Sequence, residues 1–247
     1  MPIPSARSCS LPDYVLRVSP RCKRVLIKIN PLGRVEVVIP PGFDASQVPV
    51  ILQQRRRWLD SHLSKLKARW AEAPSEHALR PTQIRLQALD RCWQVEYLSG
   101  AGGRLRLQVG DERLQLRYPS IAEAEADELI SRRLQKWLSE QARQYLVPRL
   151  AQTAEELGLS YSKACIRAQK TRWGSCSASK VINLNRNLLF LPPPLVRYLF
   201  VHELCHTRYM NHSPQFWQQV SKYEAEYRRL DTKLGQAGKH IPRWVHV

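Results

Sequence analysis

The chain has 247 residues, 43% of them hydrophobic, and 39 Lys and Arg against 21 Asp and Glu give it a formal charge of +18. That length and apolar content suffice for one or two packed domains and exclude a chain too polar to fold. No apolar run approaches the length of a membrane span, Met1–Pro12 lacks the apolar core of a signal peptide, and the cysteines at 9, 22, 92, 165, 176 and 205 form no Cys-x-x-Cys pair, which excludes a transmembrane helix, a disulfide framework and a zinc ribbon and points to a reducing, cytoplasmic setting.

In chain order, Val15–Val18, Val25–Ile29 and Val35–Ile39 predict three strands, with Asn30-Pro31-Leu32-Gly33 turning between the last two. Ser46–Trp70 predicts one helix, its start held near Pro49 and its stripe running Val48, Ile51, Leu52, Trp58, Leu59, Leu63 and Leu66 around Arg55. Ala71–Pro81 reads as a linker. Short strands follow around Ile84–Leu89, Trp93–Tyr97, Leu105–Val109 and Leu114–Tyr118, broken at Gly100–Gly103 and Gly110-Asp111. Ile121–Leu157 is helical in pattern, with Pro148 predicting a kink or break, and Cys165–Trp173 with Val181–Asn185 predicts a hairpin. The expectation is an α+β chain with a mixed β/α region over residues 1–118 and a catalytic domain over 119–247, without internal repeats.

The chemistry concentrates in His202-Glu203-Leu204-Cys205-His206 followed by His212. Two histidines four apart on a helix project from one face and can share a metal ion, and Glu203 beside the first can take a proton from a water on that metal. Leu195, Leu199, His202, His206 and Tyr209 form one row, so the histidines continue an apolar stripe. Pro192-Pro193-Pro194 suits the start of this helix, Asn211 a left-handed end, and Ser213-Pro214 the cap and first residue of the next. His212 then lies in the turn between two helices, where it can fold back towards the pair. The third ligand is His212, ten residues after His202, or alternatively Glu224 or Glu226 from the next helix, where Phe216, Val220, Tyr223, Tyr227, Leu230 and Leu234 form the apolar stripe. The spacing favours His212, and any of the three leaves a fourth position for water, as in a catalytic zinc site. Short-spacer zincins place glycine where this chain has Tyr209, so the path to His212 differs from theirs. Cys205 points away from the His202/His206 face and reads as core.

Charge is uneven. Residues 1–80 carry 14 basic against 6 acidic side chains, residues 81–160 carry 11 against 11, and residues 161–247 carry 14 against 4. A basic surface around a metal site suits nucleic acid, nucleotides or acidic protein segments. Arg55-Arg56-Arg57 is a weak patch, because consecutive helical positions point in different directions.

Lys170-Thr171-Arg172-Trp173-Gly174-Ser175-Cys176, then Ile182-Asn183-Leu184-Asn185, then the His202–His206 motif with Asn211-His212-Ser213 and Phe216-Trp217, resembles the YgjP-like metallopeptidase family, which is related to the SprT-like proteases. Gly33-Arg34-Val35, Pro40-Pro41-Gly42 and Trp58-Leu59 extend the resemblance over most of the chain. It implies a zinc-dependent hydrolase with a zincin-like core, His202, His206 and His212 as ligands to one Zn2+, and Glu203 as general base. Two positions depart from the family's pattern: Cys205, where a small residue such as Ala is frequent, and Arg186, where an aromatic is common. In zincin folds a strand beside the metal helix pairs with an extended substrate, and Cys165–Trp173 is the expected strand. Arg172 is the expected stabiliser of the oxyanion, with Tyr209 and His240 as weaker alternatives, and Trp173 is expected to pack in the core. The leading expectation is a metallopeptidase. Two alternatives are a metal-dependent nucleotide phosphoanhydride hydrolase and a non-enzymatic nucleic-acid-associated zinc protein.

Overall fold

The computed structural model describes residues 11–30, 32–72 and 78–247. Cys9 with most of Met1–Pro12, Pro31 of the predicted turn, and residues 73–77 of the predicted linker lie outside them. The chain divides into two compact units, Met1–Ala78 with His246–Val247, and Leu79–Val245. The division thus falls at the predicted linker and not after residue 118.

In the first unit β1 (Tyr14–Val18), β2 (Leu26–Ile29) and β3 (Val35–Ile39) form a sheet of order β1-β3-β2. β1 runs parallel and β2 antiparallel to β3. The turn before β3 is built by Asn30, whose Oδ1 accepts from the N–H groups of Leu32 at 3.0 Å and Arg34 at 2.8 Å. Gly33 completes it at φ +78, a backbone open to glycine at no steric cost. The predicted single helix is interrupted: α1 (Val48–Gln54) ends at Arg55 and α2 (Arg56–Glu72) follows. Val48, Leu52 and Leu59 pack with Val35, Val37 and Ile39, whereas Trp58, placed on the stripe by its spacing, is 44% exposed. Leu52 and Leu59, seven residues apart, stay on one buried face through Arg55, and Trp58, one residue before Leu59, points away from it.

The second unit starts with β4 (Gln83–Leu86), β5 (Arg91–Gly100), β6 (Arg106–Val109) and β7 (Arg113–Pro119), a sheet of order β4-β5-β7-β6 in which β5 and β7 are parallel. Its inner face carries Trp93, Val95, Leu114 and Leu116. These belong to one core with α3 (Glu123–Glu156), where Trp93 meets Trp137 edge-to-face at 5.2 Å. This shared core is why the sheet belongs with α3 and not with residues 1–78. Pro148 lies inside α3 without ending it. Proline costs about 3 kcal/mol in a helix interior, but Ala142, Leu146 and Leu150 are fully buried around it. Each buried leucine contributes about 1.5–3 kcal/mol, so packing outweighs the local penalty.

The third sheet corrects the predicted hairpin. β8 (Lys163–Arg167) pairs parallel with β10 (Val181–Asn185), and the antiparallel partner of β10 is the short β9 (Gly174–Cys176). The order β8-β10-β9 places β9 at an edge. A 3-10 turn over Arg186–Phe190 leads to α4 (Pro193–Cys205), α5 (Pro214–Tyr223) and α6 (Tyr227–Gln236). Among the described residues no helix is long and apolar enough to cross a membrane.

Candidate metal centre

Pro193 and Pro194 occupy the first turn of α4, where missing N–H groups cost nothing. Apolar Leu195, Val196, Leu199, Phe200, Val201 and Leu204 surround the helix, which is buried on almost every side. Into that setting α4 carries His202 and Glu203, and His206 is its C-cap. The helix ends earlier than the row to Tyr209 predicts, and Asn211 does not adopt a left-handed conformation. Thr207, Arg208 and Tyr209 instead turn back onto the carbonyls of Leu204 and Cys205. The early exit brings the Tyr209 carbonyl to 2.9 Å from His206 Nδ1. As Nδ1–H donates there, the Nε2 lone pair is left facing inward. Ser213 then caps α5 by accepting from the Phe216 N–H, with Pro214 in its first turn, as predicted.

The turn folds His212 back. His202 Nε2 lies 3.2 Å from both His206 Nε2 and His212 Nε2, and the three possible ligand atoms all fall within 4.8 Å of one another. Two imidazoles bound tetrahedrally at ~2.0–2.1 Å place their nitrogens about 3.3 Å apart, so the cluster has the spacing for one shared ion. Glu226 instead pairs with Arg229 at 2.6 Å on the surface, and neither it nor Glu224 belongs to the cluster. Aromatic rings fix the imidazoles: His206 stacks on Phe216 at 4.4 Å, and His212 on Trp217 at 5.5 Å. Trp217 in turn stacks on Tyr227 at 5.4 Å. Burial, with the neighbouring histidines, pushes His202 down to about 3, and burial lowers His206 as well. Both are therefore neutral and able to ligate at neutral pH.

Glu203 is 4% exposed, and its Oε2 has no hydrogen-bond partner among the described residues. Burial raises its carboxyl to about 8, and the charge of Arg172 pulls the other way. A buried carboxylate oxygen with no donor beside three converging imidazoles fits a metal site whose remaining partner comes from a ligand. β9 lies against this carboxylate so closely that a Cβ added to Gly174 would stand 2.5 Å from Oε1 and 2.9 Å from Cδ. Position 174 therefore accepts only glycine without displacement.

The stretch from residue 23 to residue 237 matches the sequence model of the YgjP-like metallopeptidase domain. The chain belongs to the YgjP-like metallopeptidase family. Among solved structures, the metallopeptidase zymogen of Pyrococcus abyssi abylysin is similar over 39% of this chain and 98% of its own, at 22% identity and a TM-score of 0.35. The zymogen of Methanocaldococcus jannaschii jannalysin is similar over 37% of this chain and 94% of its own, at 22% identity and a TM-score of 0.33. No curated protein matches the chain.

The motifs of this YgjP-like chain now have distinct places. Trp173 is partly buried against the core and donates its indole N–H to the Leu234 carbonyl at 3.0 Å. Asn185, buried, donates to the carbonyls of Gln169 at 2.8 Å and Arg172 at 2.9 Å and accepts from the Asn187 N–H at 3.0 Å. It thereby ties down the segment that presents Arg172 and Gly174. Arg186, 8% exposed, reaches α3 and donates to Gln135 and Ser139. Arg172 is exposed and acts on Glu203 through its charge. His240 is exposed and makes no ring contact or hydrogen bond with the three histidines. Cys205 is fully buried in the core. The sequence reading missed Gly174 and Asn185, although both stand inside the motifs that carry the resemblance; their close approach and their bonds link segments far apart in the chain.

Proposed function

We propose that the protein is a zinc-dependent peptidase in which Glu203 accepts the proton of the attacking water and returns it to the leaving amine. The observation that carries this reading is the convergence of His202, His206 and His212 beside the unpartnered, buried Glu203 oxygen. The three histidines would hold the zinc, which when bound lowers the pKa of its water and polarises the attacked carbonyl. Glu203 suits both halves of the proton transfer, because a base with a pKa near the working pH can take up and give back the same proton. Gly174 keeps the β9 backbone against that carboxylate, and β9 has an unpaired edge. An extended peptide adding to that edge would present its carbonyl next to Glu203. β9 thus replaces Cys165–Trp173 as the substrate strand. Arg172, at the exposed rim with its charge felt by Glu203, is the residue we assign to the oxyanion.

The test compares variants for zinc content and for cleavage of an unfolded protein. The parent is expected to hold one zinc per chain and to lose activity to chelator and regain it with zinc. Glu203→Gln is expected to keep its zinc and lose about 100-fold or more in rate, while His202→Ala loses the metal. A Glu203→Gln protein of full rate would overturn the mechanism.

A further inference from the structure

The outward face of the β4–β7 sheet ends in an open cleft of about 560 Å³, lined by Leu98, Gly102, Gly103, Arg104, Arg106 and Arg117 among others. None of these residues touches the histidine cluster, and neither the family nor the proposed peptidase reaction uses them. Arg106 stands directly opposite Arg117 across β6 and β7, and both are exposed. Like charges facing each other across a strand pair destabilise it. Among the described residues no carboxylate pairs with Arg104, Arg106 or Arg117; Arg117 donates only to the neutral Gln115 Oε1, at 3.2 Å. A sheet that sets two arginines against each other next to a third, without an acid to relieve them, leaves a concentrated positive charge to be met from outside.

The loop supplies the space. A Cβ added to Gly100, Gly102 or Gly103 would meet nothing within 4 Å, so the backbone itself is open to a ligand at the mouth of the cleft. Of the other outward arginines on the strands, Arg113 is neutralised, and Arg85 stands apart on β4, two strands away from β7. Arg113 pairs with Glu96 at 3.4 Å, Gln115 donates to the same carboxylate at 3.3 Å, and Gln94 and Gln108 occupy the neighbouring outward positions. A nucleic-acid backbone needs a basic track along which successive phosphates are met. Here the charge is gathered at one end of the sheet. Guanidinium forks match phosphate oxygens in pairs, and three of them around one cleft suit several phosphates held close together.

We propose that this cleft binds a compact polyanion carrying two or more phosphate groups. The site rests on its own residues and stands or falls independently of the peptidase reading. The test uses the full chain stripped of metal, with the chelator removed by dialysis, titrated with inorganic tripolyphosphate by calorimetry and by thermal melting. The parent is expected to bind saturably, more weakly as salt rises, and to melt higher with the ligand. The Arg106→Gln/Arg117→Gln double variant is expected to lose about tenfold or more in affinity. Without ligand it should melt at or above the parent, because the facing charges are gone. Arg104→Gln, in the loop outside the strands, gives the same loss of binding should the double variant fail to fold. His202→Ala should bind as the parent does. Absence of saturable binding, undiminished affinity in the arginine variants, loss of binding in His202→Ala, or a DNA duplex that binds more tightly than tripolyphosphate would each overturn the proposal.

Discussion

At the scale of single residues, Glu203 and His202 respond to the same burial with opposite signs. Burial raises the Glu203 carboxyl to about 8 from its ordinary 4.5 and pushes His202 down to about 3 from 6.5. In the metal-free protein the folded state therefore holds the Glu203 proton over a range where the unfolded state has lost it, and this contribution to stability falls as pH rises from 4.5 to 8. For His202 the unfolded state holds the extra proton, so its contribution is whole above 6.5 and is lost as pH falls towards 3. Above 6.5 only the Glu203 slope of this pair remains. Metal-free Glu203→Gln is expected to melt above the metal-free parent at pH 8 and to lose that advantage towards pH 4.5; identical melting at pH 8 would contradict the burial of a charged Glu203. Gly174 gives a second prediction. A methyl group there would meet the Glu203 carboxylate at 2.5 Å. Gly174→Ala should keep its zinc yet lose about 100-fold in peptide cleavage, since an ångström of displacement at a reacting group is enough for that. Wild-type turnover in this variant would show that β9 yields freely.

Among the elements, the short β9 and the segment before it depend on Asn185 at the end of β10. All three of its side-chain hydrogen bonds go to backbone, and two of them hold the carbonyls of Gln169 and Arg172. Asn185→Leu removes these bonds and leaves the carbonyls without their donor. A loss of about 2–4 kcal/mol in urea unfolding is expected, with a fall in activity as Arg172 and Gly174 lose their support. Asn183 is two residues away on the same strand, but its partners are the Ser175 hydroxyl at 3.4 Å and the exposed Arg167 at 3.1 Å. Asn183→Ala should cost about 1 kcal/mol or less. Equal costs for the two would place the support elsewhere. The pair also shows how far sequence reading reaches. Both asparagines stand in one motif, and alternation along a strand tells that they share a face, but which of them meets a buried carbonyl is decided by a segment more than ten residues away.

For the molecule as a whole, the division at Ala78 and Leu79 places every element of the candidate site in the second unit. A fragment of residues 79–247 is expected to fold and to match the full chain in its content of the proposed zinc, measured by circular dichroism and metal analysis; a fragment that is unfolded, or that holds less metal than the full chain, would show that residues 1–78 complete the unit. The sequence by itself determined what local chemistry can specify: the strands and helices with clear periodicity, the helix start at Pro193 and the cap at Ser213, and His202, Glu203 and His206 within one helical turn. His212 followed from spacing, because a turn between two capped helices has few ways to run. Tertiary structure decided the rest. Pro148 is carried through α3 by the leucines packed around it. β8 and β10 pair in parallel with β9 between them in sequence but on the far edge in space, an arrangement that alternation cannot distinguish from a hairpin. The carboxylate of Glu203, carried on α4, is buried beside the backbone of Gly174, which β9 brings in from a distant segment. Periodicity records which way a side chain faces along its own element; what it faces belongs to contacts between distant parts of the chain.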